Sequence, residues 1–335
     1  MSVDLSTTYL GLTLANPVVA SAGPLTREAE SLKKLEAAGV GAAVMPSLFE
    51  EEVEHDEWQE HRLHVFGSDS FAEALDYFPE HAVPGDGPQA YLQRVREAKA
   101  AVSIPIIASL NGTSRGGWTA YARKIEEAGA DALELNVYFM ATDPNVTSAE
   151  VESRYVELVA EVRATIGIPL AVKIGPYFSS LPNIARQLVE AGANGLVLFN
   201  RFLQPDIDLE SLSVEPRMTL SSDYEMRLPL RWIAILRSQL ATSLAATSGV
   251  HDARSVAKLL LAGADVTMTT AALLQQGPQY AGKMIEDLRH WMVEHEYESV
   301  QQLKGSMSTE NCPNPQAYER ANYLRTLISY TGSEI

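Results

Sequence analysis

The chain has little of what several large protein classes require. It contains one cysteine, Cys312, among 335 residues, so it cannot close an internal disulfide, ligate an iron–sulfur cluster or complete a thiolate zinc site. Any electron transfer would need an organic cofactor. Basic residues are also scarce, 26 against 43 acidic ones for a formal net charge of −17. No Lys/Arg cluster relieves that balance, so a phosphate backbone would be repelled and nucleic acid is not expected as a partner. No stretch approaches about 20 apolar residues. The opening MSVDLSTTYL has neither a basic nor an apolar leader region, and the expectation is a cytoplasmic protein that does not enter a membrane. A Gly-x-Gly-x-x-Gly turn is absent as well, which weighs against a doubly wound dinucleotide fold, the alternative architecture for this pattern.

What is present is a composition able to fill a large core, 46% hydrophobic with 21% charged residues. A short phrase recurs as AAGVGAAVM (37–45), EAGADALEL (127–135), EAGANGLVL (190–198) and LAGADVTMT (261–269). In each, a glycine follows a helical pattern and an apolar run begins soon after, as when a capped helix leads into a strand. Two Ile-Pro steps, IPIIASLN (104–111) and IPLAVKIG (168–175), open further strands. The runs are continuously apolar rather than alternating, which suits parallel strands buried on both faces. Strands are expected near 17–22, 41–48, 105–110, 131–137, 169–174, 195–200, 242–247 and 264–269. Eight strands with helices between them predict a (β/α)₈ TIM barrel with long βα loops at 49–91 and 201–226. We assign 1–294 to the barrel and 295–335 to a C-terminal extension packed on it.

In such barrels the chemistry sits where strands end. Polar residues at those ends are Ser21, Ser109, Asn111, Asn136, Lys173, Asn200, Arg201, Thr247, Ser248, Gly249, Thr269 and Thr270. Lys173 stands out because AVKIG places an ammonium inside a buried strand, where an unpaired charge is costly. It could pair with a barrel carboxylate such as Glu134, face an anionic cofactor, or form a Schiff base. The segments ATSGVHD (246–252) and MTTAALLQQGP (268–278) offer small residues, hydroxyls and helix starts, the usual materials of a phosphate site. His55, His61 and His64 lie in an acidic stretch and read as a solvated helix rather than a metal site, so no metal is expected. Cys312 reads as structural or exposed.

The ordered motifs NPVVASAG (16–23), LELNVYFMATDPN (133–145), AVKIG (171–175), VLFNR (197–201), ATSGV (246–250) and GADVTMTTAALL (263–274) resemble those of dihydroorotate dehydrogenases. The similarity is to the class 1 enzymes, and closest to a bacterial branch of dihydroorotate dehydrogenase-like proteins. The resemblance implies an FMN-dependent oxidoreductase acting on a CH–CH bond, connected to pyrimidine biosynthesis, with a small-molecule substrate, a separate electron acceptor and a possible homodimer. It implies that Ala20, Ser21, Ala22 and Gly23 pack against the flavin, that Asn111, Asn136 and Lys173 meet its ring edge, and that Ser248, Gly249, Thr269 and Thr270 hold its phosphate. Asn136, Asn145, Asn200 and Arg201 would then bind substrate.

Two departures bear on the reaction. The family's fourth-strand motif carries a Cys or Ser base, but residues 137–145 contain neither. Its second strand ends with a lysine where this chain has Pro46. Tyr138 and Thr142 are therefore the candidate catalytic groups beside Lys173, and dihydroorotate itself is open as the substrate. A non-flavin lyase or aldolase working through Lys173, and a flavin- or nucleotide-binding protein without turnover, are the competing readings.

Overall fold

A computed structural model of the chain describes residues 3–55, 87–113, 116–201, 204–215 and 218–319, together with Tyr323. Eight parallel strands close on themselves: β1 (Val18–Ala20), β2 (Ala42–Phe49), β3 (Ile106–Asn111), β4 (Ala132–Asn136), β5 (Leu170–Ile174), β6 (Gly195–Leu198), β7 (Ser243–Thr247) and β8 (Val266–Thr269). Pairing of β8 with β1, Met268 beside Val19, seals the barrel. An open doubly wound sheet is thereby set aside. Each expected strand lies within two residues or so of its observed one, because buried parallel strands leave an unbroken apolar signature.

Helices run between the strands: α1 (Ala29–Ala37), α2 (Gly87–Ala101), α3 (Tyr121–Glu127), α4 (Ser148–Thr165), α5 (Leu181–Glu190), α6 (Arg227–Arg237), α7 (Ala253–Ala262) and α8 (Tyr280–Glu294). The recurring phrase does mark helix ends, since Gly39, Gly129, Gly192 and Gly263 all take left-handed angles, φ from 89° to 122°. Starts are equally local. Thr147 and Glu150 form a reciprocal capping box at α4, and Asp252 accepts from the Ser255 N–H at α7.

One strand is irregular. The β2–β3 register shifts between Val44 and Ser47, around Pro46, which has no N–H to give to a ladder.

The barrel interior is lined by small and medium side chains, among them Val19, Ala42, Val44, Ile107, Ala132, Ala171, Val197, Ala245 and Met268. Four alanines leave space at the foot of the barrel. An N-terminal hairpin, Thr7–Tyr9 paired with Leu12–Leu14, fills it with Tyr9, Leu10 and Leu14. A β-carbon on Gly195 would lie 2.6 Å from Leu10 Cδ2, so the leucine of the plug would have to shift to admit any other residue there. The Leu10 N–H also donates to Ser243 Oγ at 2.9 Å. This hairpin and a second one, Asp206–Asp208 with Ser213–Glu215 in the 201–226 loop, were not expected from the sequence. Three-residue strands are too short for period-two patterning to register.

Beyond α8 the described part of the C-terminal segment lies on the barrel foot. Gly305 and Met307 N–H groups donate to the Leu260 and Leu261 carbonyls, and Thr309 N–H to that of Ala234. Lys304 Nζ reaches Asp265 Oδ1 at 2.7 Å while Arg237 Nη2 reaches Oδ2 at 2.6 Å. Cys312 is buried. Of the acidic 49–91 loop, residues 50–55 are helical and His55 is exposed; His61 and His64 lie outside the described residues. No metal-competent cluster of His, Cys, Asp and Glu occurs among the described residues, and no helix among them is long and apolar enough to cross a membrane.

Candidate active site

The strand C-termini surround a cavity of about 510 Å³, within the size range of cofactor sites. Its wall includes Ser21, Ala22, Gly23, Asn136, Tyr138, Lys173, Asn200, Arg201, Ser248, Gly249, Thr269 and Thr270. Residues as distant in sequence as Ser21 and Thr270 thus share one space because their strands are neighbours at the barrel seam.

On one side, Asn136 and Lys173 are register partners on β4 and β5. The Lys173 ammonium lies 3.3 Å from Glu134 Oε1, and the two side chains are 12% and 1% exposed. Lys173 therefore pairs with Glu134, one of its expected readings, and also borders the cavity. Asn136 Oδ1 is buried without a hydrogen-bond partner. Asn200 is committed to the scaffold, its Nδ2 donating to the Val137 and Lys173 carbonyls at 3.0 and 3.3 Å.

On the opposite side, Ser248 and Gly249 turn the chain through consecutive left-handed angles of 75° and 72°. A β-carbon on Gly249 would stand 2.3 Å from Met226 N, so the turn packs directly against the residue that precedes α6. Thr269 Oγ1 donates to the Val250 carbonyl and Thr270 Oγ1 to that of Ser21. Their hydroxyls stitch the β7, β8 and β1 loops together, and the short helix Ala271–Gln276 starts immediately after.

The rim is formed by the long loop after β6. Arg201 donates from Nε to Glu225 Oε2 at 2.9 Å and from Nη2 to Oε1 at 3.3 Å, and also to the Thr219 carbonyl. Burial on its own would raise the Glu225 carboxyl, but hydrogen bonds from Arg201 and the Ser222 N–H, with the Arg201 charge, hold it below the usual carboxylate range. Met218, Leu220 and Ser221 of this loop face the cavity. Sequence reading missed all three, since the sole signal was the loop's length. Phe199 and Leu274, also in the wall, were missed because apolar residues at strand and helix ends look like ordinary core.

Four expected site residues are placed elsewhere. Ala20 is 1% exposed and packs between barrel and helices. Asn111 ends β3 level with Asn136 but does not border the cavity. Thr142 and Asn145 are exposed on the β4–α4 loop, because Asp143–Pro144–Asn145 folds into a local turn. Asp143 Oδ1 accepts from both the N–H and Nδ2 of Asn145 at 2.9 Å; those bonds, the backbone one foremost, lower the Asp143 carboxyl. Tyr138, by contrast, stands in the cavity wall.

The residues present suit a flat, phosphate-bearing cofactor. Ser248 and Gly249, small residues in left-handed backbone, line one side of the cavity, and on the other the buried Asn136 Oδ1 has no hydrogen-bond partner. A family profile described as dihydroorotate dehydrogenase matches residues 4–292. A protein of Aeropyrum pernix, provisionally named dihydroorotate dehydrogenase A (fumarate), is 28% identical over 312 residues, covering 90% of this chain and 97% of its own length. The catalytic subunit of dihydroorotate dehydrogenase B (NAD(+)) from Thermoplasma volcanium is 25% identical over 316 residues, 90% and 98% of the two chains. Dihydroorotate dehydrogenase A (fumarate) of Limosilactobacillus reuteri is 31% identical over 199 residues, 55% and 62% of the two.

Proposed function

The chain belongs to the dihydroorotate dehydrogenase family, and from that premise we propose that it binds FMN in the 510 Å³ cavity and acts on a C–C bond of a small carboxylate or cyclic amide. As a member of that family it is an oxidoreductase. The observation that carries the cofactor reading is the cavity's two-sidedness: a lysine and an amide on the β4–β5 side, a glycine turn and the β8 loop on the other. FMN, when bound, supplies two-electron redox chemistry. The chain's part is to hold it. Ser21, Ala22 and Gly23 would lie along the ring system, Asn136 and Lys173 at its edge, and Ser248, Gly249, Thr269 and Thr270 around the phosphate, with Ser221 added from the rim.

Substrate would enter beside Asn136, Asn200 and Arg201, and Tyr138 is the side chain of the 137–145 loop placed to exchange its proton. Lacking a Cys or Ser base there, the protein should turn over dihydroorotate weakly at neutral pH, and a rate of about 1–10³ per second would overturn that expectation. The two kinds of relative differ in acceptor, fumarate for one and NAD(+) for the other, so the acceptor is to be found by experiment. Anaerobic photoreduction of the FMN-loaded protein, followed by fumarate, NAD(+) and quinones in turn, should find one that reoxidises it rapidly. A colourless preparation that FMN cannot reconstitute would overturn the reading, and so would release of FAD in place of FMN.

A cytoplasmic location and a homodimer belong to the same reading. The exposed arm carrying Ile207, Leu209, Leu212 and Val214 is where a second copy would bury apolar surface. Sedimentation of the wild type against Leu209→Ser/Leu212→Ser tests it, a monomeric wild type being the contrary result.

A further inference from the structure

The barrel interior below the cavity is apolar apart from a small set of groups. Ser47 and Ser109 satisfy each other, Oγ to Oγ at 2.8 Å. Glu134 is 1% exposed, uses Oε1 for Lys173 at 3.3 Å, and has no partner for Oε2. Tyr9 enters from the plug at the foot, fully buried, and its phenol oxygen has no partner either.

A buried ion pair is seldom worth keeping for stability, since well-packed apolar residues of like volume do as well or better. Its position under the cavity wall points to another use. Lysine is a point charge on a flexible four-carbon stem, free to swing toward water through an open mouth. On β5, Lys173 is level with Asn136, whereas Glu134 sits two residues deeper on β4. The contact therefore draws the ammonium back toward the barrel floor.

Resting on the FMN reading above, we infer that Glu134 is a positioning residue for Lys173: it fixes where the ammonium stands and offsets the charge that Lys173 offers to the cofactor's ring edge. A paired ammonium stabilises negative charge gained on reduction less than a lone one would. The carboxylate thus keeps bound FMN from becoming too strong an oxidant.

The experiment measures FMN binding in both redox states. Wild type is titrated first, and failure to take up FMN would defeat the functional reading, not this inference in particular. Given binding, Glu134→Gln keeps the side chain's volume and removes its charge. Affinity for oxidised FMN should change little, while the reduced form binds about tenfold tighter, equal to a midpoint shift of about +30 mV for two electrons. An unchanged midpoint in a folded Glu134→Gln protein overturns the inference and leaves FMN binding intact. Should that variant not fold, Glu134→Asp, which keeps the charge but withdraws it, should shift the midpoint the same way and less; no shift again overturns it. Unfolding of the FMN-free proteins gives a second arm. Each of Glu134→Gln and Lys173→Met strands a buried charge, so the double variant should be more stable than the sum of the single losses predicts. Simple additivity would show that the two residues do not act as a pair.

Discussion

Arg201 and Glu225 grip each other in a two-point contact, Nε to Oε2 at 2.9 Å and Nη2 to Oε1 at 3.3 Å, and so tether the end of β6 to the turn that enters α6. Because the folded Glu225 carboxyl is held below its ordinary range, the contact contributes fully above that range and is lost as pH falls through the lowered folded value. FMN affinity should hold from neutral pH down to the ordinary carboxylate range and then drop below it. Glu225→Gln should weaken FMN about two- to fivefold at neutral pH, the scale of a partly exposed pair, and flatten the acid limb. A limb unchanged in the variant would place the titrating group elsewhere.

Gly249→Ala adds a β-carbon to a left-handed residue and drives it toward Met226 N at 2.3 Å. Strain of about 1–3 kcal/mol is expected, with FMN binding weakened at least about tenfold as the turn shifts. Fluorescence titration with FMN measures it, and wild-type affinity would remove this turn from the cofactor site.

Asp265→Ala leaves Arg237 and Lys304 without their shared carboxylate and orphans the Leu244 N–H that donates to Oδ2 at 2.7 Å. Breaking a buried network of this kind costs about 3–5 kcal/mol. Denaturant unfolding should show that loss, and a change below about 1 kcal/mol would mean the cations find other partners.

Tyr138→Phe should leave FMN bound and slow its reduction by substrate at least about 10²-fold, the lower end of general acid–base contributions. Thr142→Ala, on an exposed loop, should leave the rate near normal. Single-turnover reduction of both variants decides between the two residues, and the reverse pattern would reinstate Thr142.

The barrel was legible in the sequence because its strands are buried on both faces and its helices end in repeated Ala-Gly steps. Lys173 was legible for the opposite reason, as a charge interrupting an apolar run. What escaped was whatever depends on long-range placement. Nothing local distinguishes Tyr9, a core plug, from any other hairpin tyrosine, or marks Ser221 as facing a cavity formed by strands far from it. Thr142 and Asn145 were misplaced because a motif gives order along the chain but not the direction in which an Asx turn points its neighbours.

The seam of the barrel also joins the two barrel strands furthest apart along the chain. Thr7 Oγ1 donates to the Asp265 carbonyl across 258 residues, and the Thr267 N–H donates to that of Pro17. The plug and β1 leave the ribosome before the other seven barrel strands, yet their partner β8 is the last of the eight to emerge. Until Val266–Thr269 is released, the apolar edge of β1 has no neighbour on that side, a state that invites chaperone capture or mispairing. Nascent chains stalled before Val266 should stay open to brief proteolysis near Tyr9, and chains stalled well beyond Thr269 should resist it. Equal resistance in both would mean that the hairpin docks before the barrel closes.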